Sequence, residues 1–267
     1  MPEHAPFLHR YGPWALVTGA SSGIGEALAR QLAARGMHLV LVARREDRLK
    51  ALAAEIERAH AVLVEVVPAD LGRADFYPEI ERVTKELDIG LVINNAGYGD
   101  KGPFIASDLD HQIQMLAVNC RATLILSHAF GKRLAARGRG GMIITSSTAA
   151  FQGLPHSAHY AATKGYGLQL AEGLAVEWAP RGVDVLALCP GPTDTEGPRR
   201  TGVDPDKVPV KMMSAAEVAE AALNGLGKKT IVIPGFKNRL AYLGVRLTPR
   251  KLSAEIAGKL VRRSTGG

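Results

Sequence analysis

The sequence predicts an α/β fold, a single domain built on a doubly wound parallel sheet of about seven strands, and three observations predict it. Short aliphatic and β-branched runs recur along the chain without polar alternation. Longer stretches of helical period separate them. The glycines, asparagines and serines that stand out fall just after the runs rather than inside them. Strands covered on both faces lose polar alternation, intervening helices imply parallel pairing with right-handed crossovers, and polar residues just past strand ends sit where open α/β sheets bind ligands.

The predicted strands cover 15–18, 38–43, 61–67, 91–93, 142–145, 183–188 and 230–233, and the helices lie near 23–36, 45–60, 73–88, 107–137, 157–180 and 214–226. After strand 1 comes Thr18-Gly19-Ala20-Ser21-Ser22-Gly23-Ile24-Gly25, a glycine turn opening a helix. Glycine lets backbone approach a diphosphate, and the helix N-terminus adds unpaired N–H donors with partial positive charge. The spacing is Gly-x-x-x-Gly-x-Gly, and no Gly-Lys-Ser/Thr follows, which argues against a triphosphatase loop. After strand 2, Arg44 and Arg45 stand 19 and 20 residues beyond Gly25, where an acid would bind a ribose 2′-hydroxyl. Arginine there favours a 2′-phosphate, hence NADP over NAD. Asp70 follows strand 3, Asn94, Asn95 and Gly97 follow strand 4, Ser146 and Ser147 strand 5, and Pro190 and Gly191 strand 6. Pro192 to Pro209 is the longest irregular stretch, and a loop of that length near 192–213 reads as a lid.

Tyr160 and Lys164 are four residues apart in a helical segment and share a face, with Ser147 thirteen residues before the tyrosine. An ammonium beside a phenol stabilises phenolate and brings it toward general acid–base work, and a serine hydroxyl can hold a carbonyl oxygen beside it. Alone, such a pair is more often a surface tyrosine next to a lysine; downstream of a glycine turn the balance reverses.

Together these residues resemble the short-chain dehydrogenase/reductase family: Thr18-Gly-x-x-x-Gly-x-Gly25, Asp70-Leu71, Asn94-Asn95-Ala96-Gly97, Asn119, Ser147, Tyr160-x-x-x-Lys164, and Pro190-Gly191 with Thr195, in order over about two-thirds of the chain. The resemblance implies a Rossmann-type sheet and an oxidoreductase. It makes Tyr160 the general acid or base, has Ser147 orient the substrate oxygen, and has Lys164 lower the tyrosine pKa and bond the nicotinamide ribose. Asn119 would hold a relay water. Asp70 and Leu71 would meet the adenine, and Asn95, Ala96 and Gly97 would line the cofactor. Pro190, Gly191, Thr193 and Thr195 would fix the nicotinamide, while Gly19, Ser21, Ser22, Gly23, Ile24 and Gly25 form the phosphate turn. Some members carry a basic residue where this chain has Ser22, so the preference for NADPH over NADH rests on Arg44 and Arg45. The expected activity is NADPH-dependent reduction of a hydrophobic ketone, or the reverse oxidation of a secondary alcohol, by a homodimer or homotetramer. The rival is a non-catalytic NADP-sensing regulatory or binding protein.

Composition narrows the remainder. Hydrophobic residues at 46% and charged residues at 22% exclude global disorder. No apolar run approaches the roughly 18 residues of a spanning helix, and residues 1–11 lack the apolar core of a signal peptide, so a cytoplasmic protein is expected. Cys120 and Cys189 read as buried hydrophobes, and His156-x-x-His159 as a chance pair, so no metal is assigned. Phe104, Phe151, Leu154 and Met212 are candidates for the substrate cavity, with ordinary packing the commoner fate of such residues. In the tail, 237–267, eight basic residues face one acid, Glu255, which accounts for the whole net charge of +7 and leaves the body neutral. That argues against a nucleic-acid groove. The stripe Leu252, Ile256 and Leu260 could pack on protein, cover the cleft or lie on anionic lipid, and packing is the favoured reading over a membrane contact.

Overall fold

The computed structural model describes residues 4–197 and 212–265. Its main sheet has seven parallel strands: β1 (Trp14–Thr18), β2 (His38–Ala43), β3 (Val64–Pro68), β4 (Ile89–Asn94), β5 (Gly140–Thr145), β6 (Val183–Leu188) and β9 (Ile231–Val232). The spatial order is β3-β2-β1-β4-β5-β6-β9, so the chain leaves β1 to one side and returns to its other side at β4. This reversal opens a crevice at the carboxyl ends of β1 and β4.

Successive strand residues feed opposite cores, which is why no polar alternation appears in the sequence. Val17, Leu39, Leu41, Leu91 and Ile93 pack with Leu28 and Leu32 of α2 (Gly23–Ala34), Leu49 and Ile56 of α3 (Glu46–Ala59), and Val218 and Leu223 of a later helix. Leu16, Val40, Val42, Val92, Met142 and Ile144 meet Ile80 of α4 (Tyr77–Thr84), Phe130 and Leu134 of α6 (Ala122–Arg137), and Leu168 of α7 (Ala158–Trp178) on the other face. The later helix is α8 (Ala215–Gly225); its start is fixed by a capping box, Ser214 Oγ accepting from Glu217 N while the Glu217 carboxylate accepts from Ser214 N.

Several boundaries differ from expectation. The predicted strand at 61–67 begins only at Val64, and the predicted helix at 73–88 shortens to α4. The predicted 107–137 helix is interrupted: α5 (Leu109–Leu116) leads into a π-helical segment, Ala117–Arg121, before α6. An N-terminal helix, α1 (Ala5–Tyr11), had no sequence expectation; Arg10 and the Tyr11 hydroxyl tie it to the Asp184 carboxylate of β6. Of the predicted loop at 192–213, residues 198–211 lie outside the described residues. Its two ends pair as short parallel strands, β7 (Thr193–Asp194) with β8 (Met213–Ser214).

The basic tail forms α9 (Phe236–Leu247) and α10 (Arg250–Thr265). On α10 the buried row is Ser253, Ala257 and Val261, one position on from the predicted stripe, whose Leu252, Ile256 and Leu260 remain exposed. Close approach contributes at one position: a Cβ on Gly258 would stand 2.9 Å from the Pro155 ring.

Candidate active site

The glycine turn is shaped by contacts that admit no side chain. A Cβ on Gly25 would lie 2.3 Å from the Gly19 carbonyl oxygen, and Gly19 (φ 66°) and Gly23 (φ 61°) occupy the left-handed region. Thr18 and Asn95 brace the turn across the β1–β4 reversal. Thr18 Oγ1 donates to Ile93 O (3.1 Å) and accepts from the N–H groups of Asn95 (2.9 Å) and Ala96 (3.0 Å), while Asn95 Nδ2 donates to Thr18 O (3.1 Å). Ser22 gives α2 no side-chain cap, so the first-turn N–H groups of that helix are left for a ligand.

Beside the turn, Arg45 donates to Ser21 Oγ (3.0 Å), Ser22 Oγ (2.8 Å) and Glu196 Oε2 (2.8 Å), and Arg48 also pairs with Glu196. Hydrogen bonds from Arg48 and Arg45 pull the Glu196 carboxyl down to about 2. Arg44, by contrast, is an exposed cation on the cleft wall. Asp70 caps its own turn by accepting from Gly72 N (3.0 Å).

Ser147, Tyr160 and Lys164 converge on the floor of the same cleft. Lys164 is buried; its Nζ donates to Thr145 O (3.0 Å) and lies 5.8 Å from the centre of the Tyr160 ring. Burial brings the ammonium down to about 8. Burial also raises the Tyr160 phenol above its usual range, opposed by its hydrogen bond with Ser147. Desolvation dominates that shift, and Lys164 Nζ meanwhile donates to the Thr145 carbonyl. Gly97 and Gly99 press from the opposite wall: a Cβ on Gly97 would stand 3.1 Å from Lys164 Nζ, and one on Gly99 3.0 Å from the Tyr160 ring.

The cleft measures about 810 Å³ and runs from the glycine turn to the C-terminal helices. Gly19, Ser21, Ser22, Gly23, Ile24, Arg44, Arg45, Asp70, Leu71, Asn95, Ala96, Gly97, Ser147, Tyr160, Lys164, Pro190, Gly191, Thr193 and Thr195 all line it. Gly25 and Asn119 stand behind the wall. Asn119, in the π segment, spends its whole amide on structure: it accepts from Tyr98 N (3.1 Å) and donates to Tyr98 O (2.9 Å) and Thr163 Oγ1 (2.9 Å). Phe151, Leu154 and Met212 border the cleft, whereas Phe104 is exposed outside it. His159 Nε2 lies 3.1 Å from Gln112 O and His156 Nε2 3.4 Å from Arg262.

Among the cleft residues that sequence reasoning missed, four stand out by their contacts. Glu196 is the acid beside Thr195 that meets the arginines. Asn238 sits against Gly191, where a Cβ would come within 2.5 Å of its Oδ1, and it donates to Pro234 O (2.8 Å). Tyr242 packs on Phe151 with ring centres 4.3 Å apart and planes tilted by 51°, and Tyr98 lines the cleft. An asparagine within an otherwise basic and apolar helix was the available signal for Asn238; nothing local marks the others.

The model of the short chain dehydrogenase family matches residues 13–204. The chain belongs to that family. It is 34% identical over 233 residues to a 7beta-hydroxysteroid dehydrogenase of Clostridium sardiniense, covering 87% of this chain and 89% of the relative. It is also 30% identical over 191 residues to a human protein named inactive hydroxysteroid dehydrogenase-like protein 1, covering 70% of this chain and 58% of that one. Among solved structures, one from a study of 7beta-hydroxysteroid dehydrogenase stereoselectivity superposes with a TM-score of 0.88 at 29% identity, over 94% of this chain and 98% of the other. A short-chain dehydrogenase from Sphingobium yanoikuyae in complex with NADPH gives 0.80 at 36%, over 88% and 94%. This short-chain dehydrogenase is therefore an oxidoreductase of a family that uses nicotinamide cofactors and acts on CH–OH and C=O groups.

Proposed function

We propose that the chain is one catalytic domain that reduces a bulky apolar ketone with NADPH, the reverse reaction being oxidation of the secondary alcohol. The observation that carries this reading is the convergence of Ser147, Tyr160 and Lys164 on one cleft with the glycine turn and the exposed cation of Arg44. The turn fits a dinucleotide: its glycines leave no room for a Cβ, and the uncapped start of α2 suits a diphosphate. Arg44 would hold a 2′-phosphate at the end of β2, and Arg45 donates to Ser21 and Ser22 of the turn. Asp70 and Leu71 would hold the adenine, Asn95, Ala96 and Gly97 would line the cofactor, and Pro190, Gly191, Thr193 and Thr195 would fix the nicotinamide.

Bound NADPH supplies the hydride for the carbonyl carbon. Tyr160 gives its phenolic proton to the carbonyl oxygen, and Ser147 donates a hydrogen bond to that oxygen as negative charge develops. Lys164 would anchor the cofactor ribose and, as a cation 5.8 Å from the centre of the Tyr160 ring, would favour the phenolate once the proton has left. A relay water at Asn119 would have to share its main-chain carbonyl with Thr123 Oγ1, which donates to it at 2.9 Å, since the side-chain amide is committed to Tyr98 and Thr163. Phe151, Leu154, Met212 and Tyr242 give the substrate end an apolar wall, which suits a ketone of the size that the hydroxysteroid dehydrogenase relatives are named for. Self-association uses α5 and the start of α6, where Leu109, Ile113, Leu116 and Leu124 are exposed.

The test is NADPH oxidation with a panel of bulky ketones, comparing wild type with Tyr160→Phe and Arg44→Asp. Turnover is expected to fall by about 10²- to 10⁴-fold in Tyr160→Phe with NADPH binding kept. Arg44→Asp is expected to weaken NADPH far more than NADH. Wild type that binds NADPH but matches Tyr160→Phe in inertness would favour the non-catalytic reading that the inactive human relative represents.

A further inference from the structure

Helix α9 is apolar on two sides. Its inner side, with Tyr242 and Val245, walls the cleft. On its outer side Phe236, Leu240, Leu243 and Leu247 are 73%, 59%, 53% and 87% exposed. At 3.6 residues per turn these four fall within an arc of roughly 60°, opposite the cleft-facing residues. Lys237 flanks the stripe on one side and Arg239 and Arg246 on the other, and α9 contains no acid. Helix α10 continues the pattern with exposed Leu252 and Ile256 among Arg250, Lys251 and Lys259, against the single acid Glu255.

A stripe of phenylalanine and leucine left in water is covered by nothing among the described residues, and its flanking charge decides which partner fits. A second copy laid on the same face would bring an equal cluster of cations within a Debye length of about 8 Å, so like charge opposes self-association there. An anionic bilayer offers apolar depth for the stripe and opposite charge for its flanks. No helix among the described residues is long and apolar enough to cross a membrane, so the contact is peripheral. We propose that the outer face of α9, with the cations of α9 and α10, docks this protein on an anionic lipid surface. The lipid face and the cleft wall are then two sides of one helix, so an apolar ketone or alcohol dissolved in the bilayer lies beside the mouth of the site. That last consequence rests on the proposed function; the docking does not.

Sedimentation with vesicles tests it without turnover, so the two readings fail separately. The full chain is expected to sediment with vesicles of phosphatidylcholine containing about one-third phosphatidylglycerol, and not with pure phosphatidylcholine. Raising salt is expected to weaken the binding. Leu240→Ser with Leu247→Ser, and separately Lys237→Gln with Arg239→Gln, are expected to reduce binding by about tenfold or more while thermal unfolding and soluble activity stay as in wild type. The proposal is overturned by equal sedimentation with neutral and anionic vesicles, by no sedimentation at all, or by apolar-stripe variants that bind vesicles as wild type does. It is equally overturned if the serine variants convert a dimer to monomer and leave lipid binding unchanged, which would make a second copy the occupant.

Discussion

Glu196 holds a place that a 2′-phosphate would compete for. It is paired with Arg45 in the turn after β2 and with Arg48 in the first turn of α3, so part of the positive charge there is already neutralised by the protein. Removing the carboxylate charge with Glu196→Gln is therefore expected to tighten NADPH severalfold and to change NADH little, read by fluorescence titration. Weaker NADPH binding would mean that the ion pairs shape the pocket rather than compete with the ligand. Lys164 carries a different cost. Its amine titrates near 8 in the fold against 10.5 when free, so between those values the unfolded chain holds the extra proton and stability rises with pH. At pH 7 the buried charge costs on the order of 3 kcal/mol. Lys164→Met is expected to abolish turnover, raise the melting temperature at neutral pH and remove that rise above pH 8. A variant that melts lower at pH 7 would show that the bond to Thr145 O outweighs desolvation.

Between residue and fold, the π segment 117–121 explains how the helix after β4 serves the site. One extra residue in the helical turn rotates Asn119 inward, where it clamps both main-chain groups of Tyr98 and reaches Thr163 on α7. Asn119→Ala leaves those groups unpaired and is expected to destabilise the fold by about 1–3 kcal/mol, seen in thermal or denaturant melts, with turnover reduced more than NADPH affinity. This segment also shows where sequence reasoning stops. The 107–137 stretch reads as one helix because 3.6-residue periodicity continues through it and a single π turn leaves no compositional mark. Strands β1, β2 and β6 were legible because each is a bounded run of buried aliphatics. The start of β3 was not, since Ala61 and Val62 are as apolar as the strand they precede. On α10 the larger side chains drew attention to Leu252, Ile256 and Leu260, while the packing face was the smaller-residue row beside it, where Pro155 comes close to Gly258. The site residues were legible as motifs on the turns; Glu196 and Tyr242 were not, because their partners are brought by the fold from far away in sequence.

Across the molecule, the cleft draws on two stretches of chain. The glycine turn, the arginines and the Ser147–Tyr160–Lys164 cluster all come before residue 198, and the far wall, with Asn238, Tyr242, Val245, Ala257 and Val261, comes after residue 211. The sheet itself needs only β9 from the later stretch, as an edge strand joined to β6 by a short register. Because α9 and α10 follow that edge strand, a relative's helices joined after Pro234 would import a new wall for the organic substrate, and the exchange keeps the nicotinamide end of the cleft only if an asparagine is retained at 238, where it faces Gly191.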